Sequence, residues 1–114
     1  MSLIPTVDFF GNQISRMILG DNPFNGHSYI PDIHSDGEML DYYTAEKCVK
    51  ALFEAEENGM NTYMALASPF IFRVIRQYRN EGGKMNVMFQ ALLITWLRID
   101  WVYSENYVRN GCYV

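Results

Sequence analysis

The sequence predicts an α/β fold, an N-terminal hairpin followed by three βα units, and three observations predict it. Met17-Ile18-Leu19-Gly20 is apolar without alternation, the pattern of a strand covered on both faces in a parallel sheet. Two later segments carry apolar residues at helical spacing: Cys48, Val49, Ala51, Leu52 and Ala55 in one, Ile71, Val74, Ile75 and Tyr78 in the other. Asn58-Gly59 and Gly82-Gly83 punctuate the chain so that its middle spells strand, helix, strand, helix, strand, at the spacing of βαβ units.

Taken in order, residues 6–20 hold two apolar stretches around a Gly11-Asn12 turn signal, which predicts a hairpin running into the first parallel strand. Residues 21–43 change to Gly, Pro, Asn, Asp, Ser and His, the residues of turns, and predict one long loop. A connection of that length inside a compact domain is uncommon and is usually functional, with disorder as the alternative. Thr44 caps the next helix and Glu46 meets the positive end of its dipole, while Lys47 denies it a capping box. Residues 61–66 read as a short buried strand. Ser68-Pro69 then opens a second helix, whose Arg73, Arg76, Gln77 and Asn80 fall away from its apolar stripe. Met85-Asn86-Val87-Met88-Phe89 is the third strand. Beyond Gln90, residues 91–103 are apolar with mixed period. Leu92, Trp96, Ile99 and Tyr103 sit at helical spacing, whereas the β-branched and aromatic content favours strand.

The 114 residues suffice for one domain or a piece of one, and 49% apolar against 19% charged residues excludes the composition of disorder. A net charge of -4 repels a phosphate backbone, so nucleic-acid binding is not expected. Two cysteines, Cys48 and Cys112, build no disulfide framework, and the N-terminus lacks the pattern of a signal peptide, which predicts a reduced, cytoplasmic protein. The uncharged, apolar run of residues 85–97 is too short and too polar to cross a hydrocarbon layer of about 30 Å, so no membrane partner is expected.

A short hairpin, then Ile14-Ser15-Arg16-Met17-Ile18-Leu19-Gly20, then a helix closing in Glu57-Asn58-Gly59-Met60-Asn61-Thr62-Tyr63, resembles the opening of (β/α)8 barrels of the aldo-keto-reductase type, in which the hairpin plugs the barrel bottom. The run Gly20-Asp21-Asn22-Pro23-Phe24-Asn25-Gly26-His27 is similar to that of an uncharacterised group of bacterial barrel proteins. The resemblance covers residues 4–90 and implies a partial TIM-like barrel, with residues 91–114 an atypical apolar tail foreign to the family. It also implies departures. Alignment on Gly59-Met60-Asn61-Thr62-Tyr63 puts Met64 where reductases carry an aspartate and Pro69 near their proton-donating tyrosine. The lysine, the histidine and the cofactor-phosphate residues would lie on later strands, so reduction by a nicotinamide cofactor is not expected, and the cofactor stays unassigned. A closed barrel takes about 250 residues. A chain of this length therefore reads as an N-terminal portion, with a truncated or frameshifted reading frame accounting for the change at Gln90.

Barrels place their active sites at the C-terminal ends of the strands, which singles out the loop after Gly20. There Asp21 and His27 are the candidate catalytic acid and base, and Asn22 and Asn25 the candidate contacts to a small polar ligand. The structural alternative is that Asp21, Asn22 and Asn25 satisfy turn backbone while Pro23-Phe24 pins the loop. His27, Asp32, His34 and Asp36 are of metal-ligand type, but their spacing fits no template, and no metal is assigned. Ser68 is read as a helix cap and Cys48 as a small core residue. Arg73, Arg76, Arg79 and Lys84, interrupted by Glu81, read as a solvated outer face, and Gly82-Gly83 lacks the spacing of a dinucleotide fingerprint. The functional expectation is a barrel fragment, catalytically incomplete by itself. The rival is an autonomous α/β interaction protein that covers its open sheet with the tail or as a homo-oligomer.

Overall fold

The computed structural model describes residues 4–90, a mixed α/β arrangement of four strands and three helices; the tail reading and Cys112 lie outside them. Strand β1 (Thr6–Phe9) pairs antiparallel with β2 (Asn12–Ser15), Thr6 opposite Ser15 and Phe9 opposite Asn12. The turn is Phe10-Gly11, one residue earlier than the Gly-Asn signal suggested. A two-residue loop matched to strand twist needs positive φ at both positions. Gly11 takes +83° without steric cost and Phe10 accepts +50°, which releases Asn12 to begin β2.

The expected first parallel strand contracts to one bridge. Leu19 lies parallel beside Tyr63, its N–H donating to Thr62 O at 3.1 Å and its carbonyl accepting from Met64 N at 2.8 Å. The cause lies just upstream. Arg16 N–H donates to Pro5 O at 2.8 Å, and the Ser15 hydroxyl donates to Met17 O at 2.6 Å, so the backbone there serves the hairpin rather than a ladder. Strand β3 (Thr62–Leu66) pairs in parallel with β4 (Asn86–Gln90), from Thr62 opposite Asn86 to Leu66 opposite Gln90. Leu19, β3 and β4 thus stand side by side in chain order, pointing one way.

Helices α2 (Ala45–Glu57) and α3 (Pro69–Asn80) cover one face of this sheet, and the stripes read from the sequence are buried except for Ala51, which is only partly covered. Cys48, Val49, Leu52 and Ala55 of α2 and Ile71, Val74, Ile75 and Tyr78 of α3 pack with Tyr63, Ala65 and Val87 in a single core. Each large apolar side chain buried there stabilises the fold by about 1.5–3 kcal/mol relative to exposure. Thr44 Oγ1 accepts from Lys47 N at 3.4 Å and Ser68 Oγ from Ile71 N at 3.3 Å, so both predicted caps form. Both helices end in the same way. Met60 N–H reaches Ala55 O at 3.0 Å past Gly59 at φ +97°, and Gly83 N–H reaches Tyr78 O at 2.9 Å past Gly82 at φ +99°.

The predicted long loop is partly ordered. A 3-10 turn spans Pro23–Asn25, and a short helix, α1, spans Asp36–Tyr42. The helix forms because Ser35 and Glu38 make a reciprocal capping box: Ser35 Oγ accepts from Glu38 N at 3.2 Å, and Glu38 Oε2 accepts from Ser35 N at 2.7 Å.

At the N-terminal end of β3, Asn61 ties the hairpin down. Its Oδ1 accepts from Ser15 N at 2.8 Å, its Nδ2 donates to Gln13 O at 2.8 Å, and its own N–H donates to Ser15 Oγ at 3.0 Å. Around Tyr78 a second knot closes the turn after α3. The hydroxyl donates to Glu56 Oε2 at 2.8 Å and accepts from Lys84 N and Met85 N at 3.1 Å each. Arg79 donates to Gly83 O and Met85 O, which removes it from the expected solvated face, while Arg73 and Arg76 remain exposed. Among the described residues, no helix is long and apolar enough to cross a membrane.

Candidate functional site

The hairpin occupies one end of the parallel segments; residues 21–43 gather at the other, beyond the C-terminal ends of Leu19, β3 and β4. Asp21 follows Leu19 by two residues and is drawn inward, only 7% exposed. Its Oδ2 accepts from the Tyr63 hydroxyl at 3.0 Å and from Leu66 N at 2.8 Å, which ties the loop to both the middle and the end of β3. Its Oδ1 accepts no hydrogen bond from the described residues.

Burial, then the Asp21 charge and the bond donated to it, push the Tyr63 phenol far above the usual tyrosine range. Tyr63 therefore acts as a fixed hydrogen-bond donor. Cys48 lies close enough to feel the same carboxylate. Burial first, and Asp21 second, push its thiol up to about 11, which leaves the core reading standing against a nucleophilic one.

The other candidates divide by what their side chains do. Asn25 turns its Nδ2 to the Asp21 carbonyl at 3.1 Å and adds its backbone N–H at 3.2 Å, so its amide holds the loop. Asn22 contributes its carbonyl, which accepts from His27 N at 2.8 Å, while its side chain makes no capping bond. Phe24 is the pin: it is buried in the core, its ring 5.0 Å from Tyr43 and 6.3 Å from Tyr63. Gly26, at φ +70°, lies where a Cβ would stand 2.5 Å from Leu40, so the loop folds against α1 only with glycine there.

A cleft of about 710 Å³ opens at this end, lined by Asp21, Asn22, His27, Tyr29, Met39 and Gln90 among others. It brings together three of the four predicted site residues, and Asn25 stands behind them. His27 is exposed and free of side-chain hydrogen bonds to described residues. His34 is elsewhere, in a separate cavity with Glu38 and Tyr42, and Asp36 Oδ1 accepts from Ser28 N at 2.8 Å. Among the described residues, no three His, Cys, Asp or Glu side chains stand together as a metal group.

Two contributors lie outside the sequence expectation: Tyr63, which the sequence places within a buried strand, and Gln90, which follows the expected third strand. The usable signal was the parallel register, because C-terminal ends of neighbouring strands converge on one rim. Chemically, the arrangement offers a buried carboxylate and, around one opening, two amides and an imidazole whose side chains make no hydrogen bond to the described residues. Compared with protein-family models, with curated proteins and with solved structures, the chain matches none of them.

Proposed function

We propose that residues 4–90 are the opening units of a (β/α) barrel resembling the aldo-keto reductases, and that the cleft after the first strand binds a small polar ligand without turning it over in this chain alone. The observation that carries the reading is the placement of Asp21. Three parallel segments in sequential order end at one rim, and Asp21 is anchored there beside His27 and Asn22. In barrels that rim is where chemistry is done. A nicotinamide reaction does not fit the residues present. The positions that the resemblance gives to the acid and the tyrosine hold Met64, a half-exposed thioether on the cleft wall, and Pro69, the first residue of α3.

The test is an amide NMR titration of the full chain with small polyols, hydroxy acids, phosphates and amines. The expected result is a set of perturbations confined to Gly20, Asp21, Asn22, His27 and Gln90 and removed by His27→Ala. A panel that perturbs nothing, or only residues away from the rim, refutes the rim site.

A second reading, a self-associating α/β interaction module, rests on a different observation. The sheet face away from the helices borders an apolar cavity of about 350 Å³ lined by Phe9, Phe10, Ile14, Met64 and Met88, and Phe10 is 89% exposed. Light scattering with amide exchange separates the two. A compact, protected dimer favours the module, and a weakly protected, aggregating chain favours the barrel fragment.

A further inference from the structure

Side chains alternate along a strand, so Tyr63, Ala65 and Val87 enter the core beneath α2 and α3, while Met64 and Met88 stand on the opposite face, paired directly in the β3–β4 register. Met64 is 40% exposed there, and Phe9 in the hairpin is 49% exposed. Phe9, Phe10, Ile14, Met64 and Met88 line the cavity of about 350 Å³ on this face, and no charged side chain among the described residues joins them. An uncharged surface rich in thioethers and rings is complemented by aliphatic and aromatic groups and offers no counter-charge to an ion.

The chain itself supplies such groups next to this face. Residues 91–103 follow directly on Gln90, the last residue of β4, and include Leu92, Ile94, Trp96, Ile99 and Trp101, with Arg98 and Asp100 their only charges. At helical spacing Leu92, Trp96, Ile99 and Tyr103 share one side; at strand spacing Leu92, Ile94 and Trp96 do. Both periods put Leu92 and Trp96 together. Met88 stands two residues, about 7 Å, before the end of β4, so a segment that turns back after Gln90 can bring Trp96 over the methionines. Tethering decides between this segment and a second copy of the chain. A short tether presents it at an effective concentration on the order of millimolar, whereas another molecule arrives only at the protein's own, far lower concentration. We infer that residues 91–103 fold back over the open sheet face, with Trp96 packed on Met64 and Met88, and that the face is closed within one chain instead of by self-association. This closure is independent of the rim cleft.

Trp96 and Trp101 are the two tryptophans of the chain, so the segment carries its own probe. In the full chain, tryptophan emission is expected at shorter wavelength than in the urea-unfolded chain and unchanged on dilution. Nuclear Overhauser contacts should join the Trp96 ring to the Met64 and Met88 methyl groups, and a mixture of labelled and unlabelled chains should show them to be intramolecular. Met88→Gln, a change on the face away from the helices, should move the emission toward that of the unfolded chain and raise its quenching by acrylamide, with amide protection kept in α2 and α3. If that variant loses the α2 and α3 protection, the contacts in the native chain decide alone. Emission equal to that of the unfolded chain, or the absence of Trp96 contacts to both methionines, overturns the inference. Contacts found only between chains, with the emission shift lost on dilution, overturn it too and give the face to self-association.

Discussion

Replacing Asp21 with Ala leaves the Tyr63 hydroxyl and the Leu66 N–H without their acceptor in a buried place, and frees the loop from β3 at two points. The expected loss of stability is about 2–3 kcal/mol, while Tyr63→Phe, which removes one donor and strands no group but half a carboxylate, should cost about 1–2 kcal/mol. Urea unfolding of the two single variants and the double variant checks this, and the double should cost less than the sum because the pair is in direct contact. The buried tyrosines also set an alkaline limit. Burial, reinforced by Glu56, pushes Tyr78 up from 10 to about 12, and Tyr63 moves the same way. The unfolded chain therefore releases these protons first, so stability that is complete below pH 10 declines as pH rises through about 12. Urea midpoints measured across that interval should fall for the native chain and fall less steeply for Tyr78→Phe; parallel curves would remove the tyrosine account.

At the level of elements, the sequence made some parts plain and concealed others for identifiable reasons. Helices α2 and α3 were legible because apolar stripe, cap and glycine stop agree along one stretch of chain. The strand at Leu19 was only partly legible, because whether an apolar run joins a ladder depends on where Ser15 and Arg16 send their hydrogen bonds, and those partners are remote in sequence or set by the hairpin. Helix α1 was missed although Ser35-Asp36-Gly37-Glu38 is a capping box. Glycine, and the turn-rich residues before it, outweighed the Ser-x-x-Glu signal. The strand-end rule points to the loop of Asp21, Asn22, Asn25 and His27, but the use of Oδ2 against Oδ1 on Asp21 is a matter of side-chain geometry that no spacing encodes. Because α1 buries none of its residues, its cap matters more than packing would allow. Ser35→Ala should cost about 0.5–2 kcal/mol, felt locally. Amide exchange is expected to quicken across α1 and stay unchanged across α2 and α3; equal acceleration everywhere would mean that α1 is integral to the main core.

The molecule as a whole is asymmetric. One sheet face is sealed by two helices, and the other, among the described residues, meets the hairpin, whose deeply buried residues are Ile14 and Ser15. So little apolar burial cannot by itself hold a two-stranded ribbon in place. The attachment therefore depends on Asn61, which makes three hydrogen bonds to Gln13 and Ser15 across at least 46 residues of sequence. Two of those bonds use its side chain, and Asn61→Ala removes both while leaving Ser15 N–H buried and unpaired, a cost of about 2–3 kcal/mol. The Thr62 hydroxyl, which donates to Asn61 Oδ1 at 2.9 Å, loses that partner as well, but the packed core of the β3–β4 pair and its helices is built from other side chains and should survive. The expected phenotype is a detached hairpin on an intact βαβ unit: rapid amide exchange over residues 6–15, native protection in α2 and α3, and increased binding of an apolar dye as Ile14, Met64 and Met88 lose their cover. Unfolding of α2 and α3 together with the hairpin would instead make the hairpin part of the same cooperative unit, and the plug would then be a foundation of the sheet and not a closure added to it.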